Sequence, residues 1–551
     1  QAMEMQGFTV YEAEWWHFDY KDWKHYGIGN QTFEELESAG SAVGGAGVGA
    51  GASRAGGEVV RPGRTGSAPR GFDAYAEKAL RDWRAPGAAI AVVKNDSVIF
   101  ARGYGVRELG KPDPVDANTV FGIASTTKAF TAGALALLVD EKKMAWDDPV
   151  TKYLPWFQIE GPYITRELKV RDLLTHRTGL PRGDRLWYAS SFSRTEVLHR
   201  VRRLEPRWSF RSNYGYQNIM FMAAGEVAAA ASGISWDELV KRRIFTPLGM
   251  TRTSTSIRAL PAMQDVAMPH ELRNDTVYVI PWRNMDNLGP AGSMNSSAND
   301  LAQWLRMQLG NGVYAGRRLM SDSVVLEMHS PQTVIPIGKQ TRELYKDTHF
   351  MAYGLGWSLR DYHGRQLVTH GGVIDGMRTE IGMVPEDGLA IVVLANLDGT
   401  NLPTALLYRA LDAYMGAPAR DWSKLLLDAR KKSEAESDST RKAFDAARVP
   451  NTKPSLSLES YAATYSDSMY DDIEVKYDGK SLVATMGPSY TGDLSHWHFD
   501  TFQVRWRDPS LGTSYFTFVL GADGKVKDLR VQNLGDFRHM PSEKPTTAGS
   551  N

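Results

Sequence analysis

A serine and a lysine three residues apart stand where an apolar segment begins, and these two residue types can perform nucleophilic chemistry together. Ser125 and Lys128 lie at the start of a predicted helix with the sequence TKAFTAGALALLVDEKK, so their side chains share one helix face. A serine hydroxyl is a weak nucleophile until a base takes its proton, and a lysine can be that base if burial lowers its pKa. By itself, however, the pair is explained more simply as a helix-capping serine followed by a surface lysine.

Two further motifs follow along the chain and change that interpretation. The first is Tyr216-x-Asn218, and the second is His370-Gly371-Gly372 at the start of a predicted strand. Two adjacent glycines let a substrate approach the backbone of the strand, because neither residue has a side chain. The three motifs in this order indicate a catalytic site.

The same three motifs resemble those of the class C β-lactamases, the D-Ala-D-Ala carboxypeptidases and the related esterases and D-aminopeptidases. That family carries S-x-x-K, then Y-x-N, and then K-T-G or H-x-G on the strand beside the active site. The resemblance covers about residues 72–416 and includes the segments VRDLLTHRTGL and PAGSMNSSANDLAQWL. It implies an α+β fold in which helices flank an antiparallel sheet and form an all-helical subdomain.

The resemblance also implies a serine hydrolase that reacts through an acyl-enzyme. Ser125 would attack a carbonyl group, while Lys128 and Tyr216 would share the proton transfers. Asn218 would orient the substrate and Lys128. The oxyanion hole would consist of the backbone N–H groups of Ser125 and Val373, the latter just past the two glycines.

His370 occupies a position where penicillin-binding members of the family usually have lysine. Because an ordinary histidine is only partly charged near neutral pH, we expect activity to change between about pH 5 and 8. The substitution also weakens the case for recognition of a free substrate carboxylate. The alternative is a histidine with a structural hydrogen bond on the strand. A second histidine, His176 in VRDLLTHRTGL, is expected to be buried rather than catalytic.

These features lead to hypotheses from different classes of function. The first is hydrolysis of amide or ester bonds in D-amino-acid-containing or peptidoglycan-derived peptides, or in β-lactams. The alternatives are a promiscuous carboxylesterase of the same fold and a penicillin-binding or peptidoglycan-sensing module without turnover. No cofactor is expected, and the expected partner is a small peptide, β-lactam or ester substrate.

Composition excludes several other classes. The chain has 551 residues with no cysteine, which rules out disulfides and a cysteine nucleophile. Basic and acidic residues number 64 each, so no general attraction to nucleic acid is expected. No apolar run reaches the ~18 residues of a membrane helix. Family resemblance favours the bacterial periplasm or secretion, although QAMEMQGFTV lacks the features of a signal peptide.

Changes in composition divide the chain into segments. Residues 39–70 are rich in Gly and Ala and are predicted to be a linker, and residues 71–420 form the hydrolase domain. Residues 421–453 are predicted to be a charged helical connector. In residues 454–551, alternating strands with Asp-Gly turns indicate a small all-β domain. It resembles the lipocalin-like domain that follows some of these hydrolases and is a candidate surface for homo-oligomer formation.

The first segment, residues 1–38, resembles the C-terminal end of the zinc D-alanyl-D-alanine dipeptidases. Within VYEAEWWHFDY, Glu14 and His17 match the general base and one zinc ligand of that family. Catalytic zinc needs three protein ligands, and the others would lie upstream of this sequence. We therefore expect no metal site here, and a zinc dipeptidase remains a third hypothesis that would need a further domain.

Overall fold

The computed structural model describes residues 68–540 and two short strands nearer the amino terminus. These strands, β1 (Phe8–Val10) and β2 (Phe18–Tyr20), form an antiparallel pair. Most of the predicted linker 39–70 and residues 541–551 lie outside the described residues.

An eight-stranded antiparallel sheet forms the centre of the first large domain, here called the α+β domain. In chain order its strands are β3 (Gly87–Lys94), β4 (Ser97–Gly105), β5 (Thr333–Val334), β6 (Met351–Tyr353), β7 (Ser358–Tyr362), β8 (Arg365–Ile374), β9 (Met377–Val384) and β10 (Leu389–Ala395). They lie in the order β5-β6-β7-β8-β9-β10-β3-β4. Strands from the beginning and the end of the domain therefore pair with each other.

Helices cover both faces of this sheet. The longer ones are α1 (Phe72–Trp83), α2 (Thr127–Asp140), α3 (Asn218–Ser232), α4 (Ala298–Leu309), α5 (Leu402–Met415) and α6 (Trp422–Ala446). In β3, Ala91 joins a buried cluster with α2, α3 and α4, whereas Ile90 and Val92 join a second cluster with α1 and α5. Because successive side chains of a strand point to opposite faces, a strand covered on both sides is apolar along its length.

The region between β4 and β5 is mostly helical and forms the expected subdomain around α2 and α3. Its shorter α-helices are Pro162–Glu167, Val170–Leu173, Arg194–Arg200, Trp236–Val240, Thr246–Leu248 and Asp322–Met328. Small strand pairs join Phe121–Gly122 to Asn295–Ser296, His270–Arg273 to Thr276–Val279, and Val313–Tyr314 to Arg317–Arg318. Nearly every side chain of α2 is buried, as expected for a helix that is apolar all round.

The described helices differ in length and in apolar character, the two properties that decide whether a helix can span a membrane. None of them is individually long and apolar enough to cross a membrane, although Asn218–Ser232 and Trp236–Leu248 meet that test together as a pair bent by 74°.

The second domain is a closed antiparallel barrel of eight strands. They are β11 (Ala463–Ser466), β12 (Ile473–Tyr477), β13 (Leu482–Met486), β14 (Tyr490–His498), β15 (Thr501–Trp506), β16 (Thr513–Leu520), β17 (Val526–Val531) and β18 (Gly535–Met540). Each strand pairs with the next, and β11 pairs with β18 to close the barrel. The predicted α+β fold with a C-terminal all-β domain is confirmed.

The helix α6 connects the two domains, but its first turn belongs to the core of the α+β domain. The ring of Trp422 is fully buried and stacks on Tyr345 with 5.4 Å between ring centres. Its Nε1 donates a hydrogen bond of 2.7 Å to the Asp412 carboxylate. The segment 421–453, predicted to be a connector, therefore begins inside the core, and the domain boundary lies further along α6 than residue 420.

Candidate active site

Ser125 lies in a tight 3-10 turn, Ala124–Thr126, that leads directly into α2. Ala124 has a φ of +46°, in the left-handed region that non-glycine residues rarely adopt. Its carbonyl oxygen accepts a hydrogen bond of 2.6 Å from Thr127 Oγ1. Strained backbone of this kind is concentrated at functional sites. The turn leaves the Ser125 side chain half-buried at the start of the helix, where the sequence motif predicts it.

Lys128 is completely buried below Ser125, and its amine has three partners. Lys128 Nζ lies 3.0 Å from Ser125 Oγ, 2.8 Å from Asn218 Oδ1 and 2.7 Å from the carbonyl oxygen of Ala291. Burial lowers the pKa of Lys128 well below its ordinary value, and the nearby positive charge of Arg182 lowers it further. Both effects favour the uncharged amine, which is the form that can accept a proton.

Tyr216 is a neighbour of both Ser125 and Lys128, and its ring centre lies 5.0 Å from Lys128 Nζ. Burial raises the pKa of Tyr216 to about 12, although a hydrogen bond with Ser125 and the charge of Arg182 act in the opposite direction. The phenol is consequently protonated at neutral pH and can donate a proton. Its ring stacks on His176, with 4.2 Å between ring centres, and His176 is fully buried, as the sequence predicts.

His370 lies within the fold rather than in solvent, with only 4% of its surface exposed. Its Nε2 lies 2.8 Å from the hydroxyl of Tyr353, and its Nδ1 donates to the carbonyl oxygen of Gly371 at 2.8 Å. Burial, together with the charge of Lys128, lowers the pKa of His370 to about 3. The expectation that His370 titrates between about pH 5 and 8 is therefore wrong, and the structural alternative fits this neutral, doubly bonded ring.

The hairpin between β7 and β8 determines which backbone groups of β8 face its neighbour. The turn residues His363 and Gly364 both have positive φ, 48° and 72°, which is the type I′ geometry of a two-residue hairpin. The residues that flank such a turn form a hydrogen-bonded pair. From Arg365 onward, every second residue of β8 therefore directs its N–H and C=O toward the side of β7.

Gly371 and Val373 belong to this alternating series, but β7 does not reach them. The first residue of β7, Ser358, pairs with Thr369. The backbone groups of Gly371 and Val373 consequently have no strand partner on this side, which is the side of the cavity next to Ser125. Of these groups, the Gly371 carbonyl oxygen is already bound by His370 Nδ1. This geometry agrees with the roles proposed for them, an oxyanion donor at Val373 N–H and a substrate-binding edge at Gly371.

Gly372 explains how β8 can come so close to the serine turn. A Cβ atom at this position would lie 2.1 Å from the carbonyl oxygen of Ile123 and 3.2 Å from Thr126 Oγ1. Any side chain at Gly372 would therefore separate the strand from the turn that carries Ser125.

A cavity of about 390 Å³ joins these groups. Among the predicted residues, its lining includes Ser125, Tyr216, Asn218, His370, Gly371 and Val373. Sequence reasoning did not identify several other lining residues, which include Arg182, Trp187, Tyr188, Asp375, Arg378 and Asp398. The lining thus contains charges of both signs.

The loop from Arg182 to Trp187 orients Asn218 and was missed in the sequence. Asp184 Oδ1 accepts hydrogen bonds from Asn218 Nδ2 (3.1 Å) and from Trp187 Nε1 (3.0 Å). With its amide nitrogen bound in this way, Asn218 directs its oxygen toward Lys128. The only available signal was the charged sequence PRGDR directly after VRDLLTHRTGL.

Among the residues that the structure describes, no group of three or more His, Asp or Glu side chains is arranged to hold a metal ion. Glu14 and His17, the pair that resembles a zinc dipeptidase, lie outside the described residues.

Models of two protein families match the chain. The β-lactamase family matches residues 72–415, and a domain of unknown function, DUF3471, matches residues 447–544. These ranges correspond to the α+β domain and to the barrel, respectively.

Known proteins show the same similarity. The unguisins hydrolase of Aspergillus violaceofuscus is 29% identical over 454 residues, which are 76% of this chain and 79% of that protein. The octameric penicillin-binding protein homologue from Pyrococcus abyssi has a TM-score of 0.57 at 21% identity, covering 85% of this chain and 98% of that one. A D-stereospecific amidohydrolase from Streptomyces sp. has a TM-score of 0.50 at 23% identity, covering 63% and 99%. Because the family model spans most of the sequence, this chain belongs to the β-lactamase family.

Proposed function

We propose that this protein hydrolyses amide bonds in peptides that contain D-amino acids, with Ser125 as the covalent nucleophile. The observation that carries the proposal is the environment of Lys128, which is fully buried, has a strongly lowered pKa and lies 3.0 Å from Ser125 Oγ. A buried amine has a large desolvation penalty in its charged form. Burial therefore favours the uncharged amine, and an uncharged amine beside a serine hydroxyl can accept its proton.

The hydrogen bonds of Lys128 fit a neutral amine. Asn218 Oδ1 and the Ala291 carbonyl oxygen are acceptors only, so they take the two N–H bonds of –NH₂. In the proposed reactive state the amine is uncharged, and its lone pair accepts the hydrogen of the Ser125 hydroxyl, whose oxygen lies 3.0 Å away. This is the arrangement that a general base requires before a nucleophilic attack.

Acylation follows from these positions. As Ser125 Oγ forms a bond to the substrate carbonyl carbon, its proton passes to Lys128 and the carbonyl oxygen becomes an oxyanion. The backbone N–H groups of Ser125 and Val373 stabilise that charge. The C–N bond then breaks, Tyr216 protonates the leaving amine, and Lys128 returns a proton to the Tyr216 phenolate.

Deacylation repeats the sequence with water as the nucleophile. Water loses a proton to Lys128 and attacks the acyl carbon, and the bond to Ser125 Oγ breaks. Ser125 regains its proton, and the acid product leaves. The raised pKa of Tyr216 supports its role as proton donor, and the lowered pKa of Lys128 supports its role as proton acceptor.

The charged cavity lining supports a peptide substrate. Arg182 and Arg378 supply positive charge, while Asp375 and Asp398 supply negative charge. A peptide with charged termini matches such a lining better than a simple acyl chain does. The named relatives point the same way, since one is a hydrolase and another, of the same fold, is a D-stereospecific amidohydrolase.

The test is a substrate panel combined with covalent labelling. We expect turnover of D-amino-acid amides or D-Ala-D-Ala peptides to exceed that of nitrocefin and short-chain esters. A fluorophosphonate should label the wild-type chain at Ser125, and Ser125→Ala should lose both labelling and turnover. Ser358→Ala, which alters another serine of the cavity, is the matched control and should still be labelled. Labelling of Ser125→Ala at a different serine, located by mass spectrometry, would overturn the assignment.

A further inference from the structure

The loop that follows the strand Thr276–Val279 connects the barrel to the wall of the cavity. The side chain of Arg283 in this loop is only 17% exposed. Its Nη2 donates hydrogen bonds to Asp508 Oδ2 (2.7 Å) and Ser510 Oγ (2.8 Å), both in the barrel. Its Nε donates to the carboxylate of Asp375 in the α+β domain. A single guanidinium group therefore binds acceptors in both domains.

Asp375 is the point at which this contact meets the active site. Asp375 and Gly376 form the turn between β8 and β9, two residues after Val373, which lines the cavity. The Asp375 carboxylate is 14% exposed, and both of its oxygens lie 3.0 Å from the Tyr188 hydroxyl, whose single hydrogen they share. Tyr188 and Asp375 both line the Ser125 cavity. The position of Asp375 thus affects the end of β8 against which a substrate lies.

A second contact with the barrel involves the loop that orients Asn218. The guanidinium of Arg185 lies over the ring of Tyr490 in β14, at 5.1 Å from its centre, and donates to its hydroxyl. The neighbouring residue Asp184 binds the amide of Asn218. The barrel therefore contacts the α+β domain at two places near the cavity. One is Arg185, the neighbour of the residue that binds Asn218, and the other is Arg283, which binds the turn at the end of β8.

We infer that the barrel completes the active site, and that Arg283 is a positioning residue that fixes the β8–β9 turn for substrate binding. The inference rests on the proposed function, because it assumes that substrate lies beside Ser125. Arg283 has no role in proton transfer, so it should act on the fit of an extended substrate more than on the reactivity of Ser125. Burying the charged carboxylate of Asp375 without a cation would also cost free energy. The conformation of the turn therefore depends on Arg283.

The experiment compares full-length variants by steady-state kinetics with the best peptide substrate of the panel. Arg283→Ala and Asp508→Asn should each raise KM about tenfold, with a smaller effect on kcat. Arg283→Lys keeps the charge without the planar fork and should recover part of the loss. Because both residues serve one contact, the double variant should be no worse than the poorer single one. Arg507→Ala is the matched control, since Arg507 neighbours Asp508 but pairs with Asp493 on the exposed barrel surface.

Fluorophosphonate labelling separates the two proposals. The probe is small, so Arg283→Ala should be labelled at a rate within about threefold of wild type. Absence of labelling in the wild-type chain would refute the proposed function itself. Normal labelling together with an unchanged KM in Arg283→Ala and Asp508→Asn would refute the role of the barrel. If Arg283→Ala does not fold, Asp508→Asn decides, because it keeps the pair between Arg283 and Asp375.

Discussion

The reactivity proposed for Ser125 depends on the location of Lys128 more than on any single charged partner. Burial is the largest influence on the pKa of Lys128, and the next largest is the positive charge of Arg182. Asp184 acts in the opposite direction, but it is occupied by Asn218 and Trp187. A buried lysine without a close anion is the environment in which an amine loses its proton near neutral pH.

The pH dependence of kcat/KM tests this account. Activity should fall as the pH drops through the pKa of Lys128, because a protonated amine cannot accept the proton of Ser125. Arg182 lowers that pKa, so Arg182→Gln should raise it and move the acid limb to higher pH. His370 has a pKa of about 3 and is neutral throughout pH 5–8.

The control for this experiment is His370→Asn. We expect it to reduce kcat without moving the midpoint of the acid limb, whereas a shift of one pH unit or more would show that His370 titrates during catalysis. Both profiles are obtained from initial rates measured over pH 4–9 at low substrate concentration.

At the scale of secondary-structure elements, the strand β8 and the helix α2 bring the motifs together. Local patterns were sufficient to predict these elements. The apolar segment after Ser125 indicated α2, and the strand predicted at His370-Gly371-Gly372 is β8, which begins earlier, at Arg365.

The burial of His370 could not be predicted in the same way. It depends on the hydroxyl of Tyr353, which comes from a different strand of the sheet. Asp375 and Asp184 were missed for a similar reason. Asp375 pairs with Arg283, and Asp184 pairs with Asn218. These partners are distant in sequence, and no periodic pattern of residue types predicts such pairs.

The close approach of β8 to the serine turn gives a prediction at this scale. Gly372→Ala places a Cβ atom against backbone, 2.1 Å from the Ile123 carbonyl oxygen, so either the strand or the turn must move. We expect activity to fall at least ~100-fold, because small displacements of reacting groups have large effects on rate, and stability to fall by ~1–3 kcal/mol. Kinetics and thermal unfolding measure the two effects. Gly338→Ala, where the added Cβ meets nothing within 4 Å, should leave both unchanged.

At the scale of the whole molecule, the boundary between the domains lies within α6. Trp422 and Leu426 are buried with the α+β domain, whereas Phe444 near the other end stacks on Trp497 of the barrel. The helix is thus shared between the two units, with its exposed middle part carrying most of the charged residues.

Two truncations distinguish the roles of α6 and the barrel. A chain that ends after Ala447 keeps Trp422 and should remain folded and labelled by fluorophosphonate, but its turnover of peptide should fall by about tenfold or more. A chain that ends after Arg420 loses Trp422 from the core and should be insoluble or unlabelled. Size-exclusion chromatography, labelling and kinetics check both. If the two truncated chains behaved alike, the assignment of the start of α6 to the core of the α+β domain would be wrong. Full turnover by the chain that ends after Ala447 would show that the barrel is dispensable.

The pairing of β3 with β10 has a consequence for biosynthesis. Ala88 pairs with Ala395, and Lys94 with Leu389, so the partner of β3 is made roughly 300 residues after it, about 15–60 s later at ~5–20 residues per second. During that interval the apolar strand GAAIAVVK has only β4 beside it and exposes an edge on which other chains can pair. The nascent protein therefore cannot complete its central sheet until β10 has left the ribosome. Its yield in a cell should depend on chaperones that shield this edge while translation continues.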